Sequence, residues 1–178
     1  MKKILLLIIA IAILGGAYYV KRETGPTSVT PGSVVDKNFH PDPRSATFIF
    51  DESSVTLSNG ESDEDSEGNP QETRILDENA YGDINADGEE DTVVLLSQSG
   101  GGSGVFIYAA AYVSGPINYK GTQALYIGDR ISPESVSIAS GVVTVKYLDR
   151  KEDEPFAAEP TVPTQKQFVY RNGAFVER

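Results

Sequence analysis

Beyond residue 45 the chain never sustains a helical repeat over ten residues; it carries short runs rich in Val, Ile, Tyr and Phe, broken by turn residues. "ATFIF", "SVTLSNG", "TRIL", "DTVVLLSQ", "GVFIYAAAYV", "TQALYIGD", "ESVSIAS", "GVVTVKYLD", "QKQFVY" and "AFVER" follow one another to the C-terminus. β-branched and aromatic side chains suit a pleated, half-buried surface. "DESS" joins the first two runs as a hairpin. Asn172–Gly173 is the strongest hairpin signal, because an Asn-Gly pair accepts the positive φ angles of a tight reverse turn. "ASGV" at 139–142 is a weaker one. Phe168, Tyr170, Phe175 and Val176 flank the last turn and are expected to lay apolar surface on the core. This spacing predicts an all-β domain, a single antiparallel sandwich or small barrel, over residues 44–178. The alternative is α+β with one short helix, near 74–81 or 110–120. About 130 residues suffice for one core.

The N-terminus reads differently. "MKKILLLIIAIAILGGAYYVKRE" places an unbroken apolar run, residues 4–20, between Lys2, Lys3 and Lys21, Arg22. As a helix it spans about 26 Å, near the lower limit for a bilayer core. Tyr18 and Tyr19 stand where interfacial aromatics are expected, and the terminal lysines can snorkel. Residues 1–22 are therefore expected to be a membrane anchor, with a cleaved signal segment as the alternative. Either one exports residues 23–178. The terminal amine and two lysines favour an inside N-terminus, which puts the C-terminal domain outside the cell membrane.

Residues 23–43 hold Pro26, Pro31, Pro41 and Pro43 and little apolar periodicity, which reads as a linker. The single histidine, His40, falls in it and is expected to be solvated. Residues 60–72, around "ESDEDSEGNPQE", are acidic and hold no large apolar side chain, so a disordered loop is expected there.

The formal net charge is −11, and it becomes −15 once the four basic residues of 1–22 are set aside. Phosphates are repelled over such a surface, which speaks against a nucleic-acid partner. There is no Cys, hence no disulfide, thiolate nucleophile or zinc ribbon.

"YGDINADGEED", residues 81–91, crowds acids ahead of "TVVLL". Counted from Asp83, positions 1, 3, 5 and 9 are Asp83, Asn85, Asp87 and Asp91, and position 6 is Gly88. Alternate side chains converge when such a loop curls. Gly88 tolerates the left-handed bend. Glu89, at position 7, is expected to supply its backbone carbonyl. A hard cation such as Ca2+ takes about six to eight oxygens, and this donor set is all oxygen. Position 12 is Val94, so this is not an EF-hand loop.

The spacing D-x-N-x-D-G-x-x-D resembles the calcium loops of integrin-type FG-GAP repeats, which also lead into a strand. One copy and no blade-length repeat mean that the loop geometry carries over and a propeller does not. A second resemblance is broader. "YGDINADGEEDTVVLLSQSGGGSGVFIYAAAY" and "GTQALYIGDRISPESVSIASGVVTVKYLDRKEDEPF" are similar to a family of exported, uncharacterised bacterial proteins. Its members pair a G-D-x-N-x-D-G-x-x-D loop with a GGSG turn, a "GDR" segment and a terminal hairpin. The resemblance implies export, the domain boundaries and the calcium loop, and it names no substrate.

No catalytic constellation stands out. "SQSGGGSG" at 97–104 lacks the following helix and the lysine of a phosphate cradle. Ser99 or Ser103 as nucleophile would need a base, and the only His lies in the linker. The stretch is expected to be a hairpin connection, and "DRKEDEPF" at 149–156 a solvated loop. The chain therefore reads as a membrane-tethered, calcium-stabilised binding or structural module with an envelope protein or glycan as partner. A metal-assisted envelope hydrolase using the acidic loop is the alternative.

Overall fold

Paired turn residues set the hairpins. Asn172 and Gly173 take φ of 54° and 79°, Ser140 and Gly141 take 51° and 72°, and Asn59 and Gly60 take 56° and 91°. Two consecutive positive φ values match the right-handed twist of flanking strands. The computed structural model describes residues 39–51, 53–66 and 69–178. The anchor or signal segment and residues 23–38 of the linker lie outside the described residues. Among the described residues no helix is long and apolar enough to cross a membrane.

The strands are β1 (Thr47–Phe50), β2 (Ser53–Thr56), β3 (Glu61–Ser66), β4 (Asn69–Gly82), β5 (Asp91–Gly100), β6 (Val105–Val113), β7 (Lys120–Gly121), β8 (Leu125–Asp129), β9 (Ser132–Ala139), β10 (Val142–Asp149), β11 (Val162–Arg171) and β12 (Ala174–Glu177). They form three antiparallel sheets: β1-β2, β12-β11-β10-β9, and β3-β4-β5-β6-β7 with β8 paired to β6. The domain is all-β, as its residue pattern predicts. Residues 74–81 lie inside β4 and 110–113 inside β6, so neither stretch is helical. Both are laddered to β5 on one side, and those pairings override local propensity.

The largest sheet is packed on both faces. Val93 and Leu95 of β5, with Ile107, Ala109 and Ala111 of β6, face a core completed by Val143, Val145, Phe168 and Phe175 of the four-stranded sheet. Val94, Leu96 and Ala110 point the other way, onto Phe48, Phe50, Val55 and Leu57 around the β1–β2 hairpin. This explains "TVVLL": a strand buried on both faces reads as a continuous apolar run, not an alternating one. Phe168 and Phe175 stack at 5.3 Å in the core and Tyr170 packs beside them. Val176 is half-buried; it is the cross-strand partner of Val169, on the opposite face of the hairpin from Phe175.

Two expectations need correction. At its described residues the acidic stretch 60–72 is not a loose loop: β3 pairs with β4, Glu61 opposite Arg74 and Asp63 opposite Glu72. The main-chain ladder extends a hairpin already anchored by β4, so order there does not depend on apolar burial. Arg74 ion-pairs with both Glu61 and Glu72. The end of the linker also packs on the domain, which begins at His40 and not at 44. Pro41 and Pro43 are buried, and the Thr92 hydroxyl donates to the Pro41 carbonyl at 2.6 Å. Asp42 caps a single 3-10 turn at Pro43–Ser45.

One glycine is required by space. A Cβ on Gly121 would stand 2.1 Å from the Thr47 carbonyl oxygen, so β7 approaches β1 only because residue 121 has no side chain.

Candidate functional site

Gly82, at the end of β4, pairs with Asp91, at the start of β5, so residues 83–90 close a hairpin between two strands of the main sheet. Ala86 and Gly88 take positive φ, 63° and 89°. Gly88 stands in open space, so its role is conformational.

The loop is tied by its own side chains. Asp83 accepts from the Ala86 N–H at 2.7 Å on one oxygen and from the Gly88 N–H at 3.0 Å on the other. Asn85 Oδ1 accepts from the Asp87 N–H at 2.9 Å, and Asp87 Oδ1 from the Glu89 N–H at 2.9 Å. Such Asx turns curl the chain without a regular ladder. Asp91 is fully buried, and its Oδ2 accepts from the Ile84 N–H at 2.9 Å.

The hub is a residue outside the motif. Ser114 follows β6, whose Tyr112 pairs with Thr92, and this register sets it beside Asp91. The Ser114 N–H donates to Asp91 Oδ1 at 2.8 Å. Its hydroxyl lies 2.5 Å from Asp87 Oδ2 and 3.0 Å from Asp91 Oδ1. The Asn85 amide nitrogen donates to Asp87 Oδ2 at 2.9 Å and approaches the Ser114 hydroxyl at 3.1 Å. A hydroxyl has one proton, so it serves one of the two carboxylates at a time.

The structure thus gathers Asn85, Asp87 and Asp91 around Ser114. Asp83 is engaged with backbone amides, and the Glu89 side chain is exposed. Among the described residues there is no group of three or more His, Cys, Asp or Glu side chains placed to hold a metal ion. The donor chemistry nonetheless fits a hard cation. Asp83 Oδ1 and Oδ2 and Asp87 Oδ1 each accept one amide hydrogen, and a carboxylate oxygen has room for a second partner.

The field of the loop reaches its neighbours. The Ser114 hydroxyl, then the Glu89 N–H, hold the Asp87 carboxyl below its ordinary range. Tyr119 donates to the Glu90 carbonyl at 3.0 Å. Burial first, then the charges of Glu89, Asp91, Asp87 and Glu90, push its phenol up. Glu90 itself turns away from the loop centre to His40, with Oε1 2.6 Å from Nδ1. The His40 ring stacks on Tyr81 with centroids 4.1 Å apart. His40 is therefore half-held against the domain rather than free in a linker. Among the described residues no hydrogen bond joins it to a serine, and Ser99 sits in the β5–β6 ladder opposite Val105.

Ser114 and Tyr119 had no signal in the residue order. They lie in "SGPINY", more than twenty positions from the motif, and only the β5–β6 register brings them to it. Comparison with protein-family models, with curated proteins and with solved structures finds no match.

Proposed function

We propose that this chain is a membrane-tethered, calcium-stabilised extracytoplasmic module that binds another envelope component. The observation that supports the calcium reading is the shared hydroxyl: the Asp87 and Asp91 carboxylates both stand within 3.0 Å of one Ser114 hydroxyl that has a single proton to donate. Two like charges so close leave a deficit of positive charge, which a divalent cation offsets. Asp83, Asn85, Asp87 and Asp91, with the Glu89 carbonyl, are the residues that would hold Ca2+, and Gly88 allows the bend. The ion's contribution is structural: it neutralises the loop and pins the entry to β5. The apolar run 4–20 with its basic flanks supports the tether and the outside location of the domain.

The test is calorimetry of the full chain in detergent with calcium, magnesium and a chelator. Calcium is expected to raise the melting temperature and magnesium to do less, because magnesium demands a smaller octahedral site. A melting temperature indifferent to the chelator and to added calcium would reduce the loop to a hydrogen-bonded turn.

A further inference from the structure

The β1–β2 hairpin covers only part of its face of the main sheet. Beyond it, on the same face as Ala110, β6 presents Tyr108 and Phe106, and β8 sets Tyr126 directly opposite Tyr108. Tyr126 is 49% exposed and Phe106 39%. With Asp51, from the β1–β2 turn, and Gln123 they line a cleft of about 340 Å³. That is the lower range of small-ligand pockets.

Ring orientation narrows what the cleft can take. Tyr108 and Tyr126 meet at 70° with centroids 5.8 Å apart, and Phe106 and Tyr126 at 55° and 6.4 Å. A sugar ring asks for a flat stacking floor. Steeply inclined rings do not make one, whereas exposed aromatic rings beside a carboxylate attract a cation. Charge points the same way. Asp51 lines the cleft, while the nearby bases Arg130 and Lys166 are already engaged with Asp129 at 2.7 Å and Glu177 at 3.4 Å. After burial, Asp51 is what raises the Tyr108 phenol, and Asp129 and Asp149 the Tyr126 phenol. The aromatic walls therefore have the Asp51 carboxylate at their edge, on a domain whose acids greatly outnumber its bases.

We infer that the Phe106–Tyr108–Tyr126 cleft, with Asp51 at its edge, is a cation–π site that receives an arginine or lysine side chain from a basic segment of a partner protein. It deepens the binding-module reading by naming the partner's chemistry, and it stands apart from the calcium loop.

The experiment is titration calorimetry of the full chain in detergent with a short arginine–glycine peptide at physiological salt, with and without chelator. Tyr126→Ala removes a ring and no charge, and is expected to weaken binding about five- to thirtyfold. Tyr126→Phe keeps the ring and is expected to stay within about twofold of the parent. Asp51→Asn keeps a residue that tolerates the φ of 45° at that turn and is expected to weaken binding as well. Phe106→Ala gives a second ring deletion, and melting curves check that each variant is folded. If the ring deletions bind the peptide like the parent while Asp51→Asn weakens it, only diffuse charge is at work and the site is overturned. Equal affinity for tetramethylammonium alone overturns the protein partner in favour of a small ammonium ligand. Tight binding of a neutral glucose oligomer that Tyr126→Ala abolishes overturns it in favour of a glycan. Because the chelator arm leaves the cleft intact, loss of the calcium reading and loss of this one are separable.

Discussion

Ser114 gives both its backbone N–H, at 2.8 Å, and the approach of its hydroxyl, at 3.0 Å, to one carboxylate oxygen of Asp91, 23 positions earlier in the chain. Asp91 is fully buried, so these contacts replace much of the water it has lost. Removing the hydroxyl by Ser114→Ala leaves Asp87 and Asp91 facing each other without it. Stability in chelator is expected to fall by about 1–2 kcal/mol, since hydrogen bonds to charged groups are among the stronger ones. Urea denaturation measures it, and an unchanged midpoint would mean the hydroxyl is dispensable.

Calcium should discriminate between neighbouring acids. Asp87→Ala is expected to abolish the calcium-induced rise in melting temperature. Glu89→Ala keeps the backbone carbonyl and removes only an exposed side chain, so it should preserve that rise. At a hundredfold excess over the dissociation constant the parent gains about 2.7 kcal/mol by mass action. Identical behaviour of the two variants would count against a cation held by this loop.

Gly121→Ala drives a methyl group to 2.1 Å from the Thr47 carbonyl, and backbone has no rotamer with which to yield. A loss of about 1–3 kcal/mol is expected, the usual range for overpacking. Gly102→Ala meets nothing within 4 Å and serves as the neutral control. Thermal melts of the two variants, compared with the parent, decide it.

Acid should unfold the domain partly through Asp129. Arg130, then the Val105 N–H, hold its carboxyl below the ordinary value, and Arg150 adds its charge. The Val105 N–H donates at 3.0 Å. A depressed folded pKa contributes stability that is present above the unfolded value of about 3.9 and is lost as pH falls through the folded one. Asp129→Asn is expected to flatten the stability curve below about pH 4 while lowering the plateau near neutrality. A variant whose acid limb overlays the parent's would remove Asp129 from that account.

Strand content and turn positions were legible in residue order because both are local. Asn172–Gly173 and, more weakly, Ser140–Gly141 accept left-handed backbone locally, and runs such as "GVVTVKYLD" carry their own β preference. Asn59–Gly60 carried the same signal inside a run read as plain strand. The acidic stretch at 61–66 misled because composition speaks for burial, whereas its order comes from pairing with β4. His40 and Pro41 misled similarly: proline-rich composition suggests a loose tether, yet Thr92 and Tyr81 supply a docking surface.

The spacing of Asp83, Asn85, Asp87, Gly88 and Asp91 lies within one loop, so their candidacy needs no fold. The company they keep does. Ser114 reaches Asp91 through the β5–β6 register, and Tyr126 reaches Tyr108 through the β6–β8 pairing. A register is chosen by which faces bury together across the whole sheet, Val93 and Leu95 toward one core and Val94 and Leu96 toward the other. No local run of residues contains that choice, because a one-residue slip conserves every local preference and exchanges the two faces.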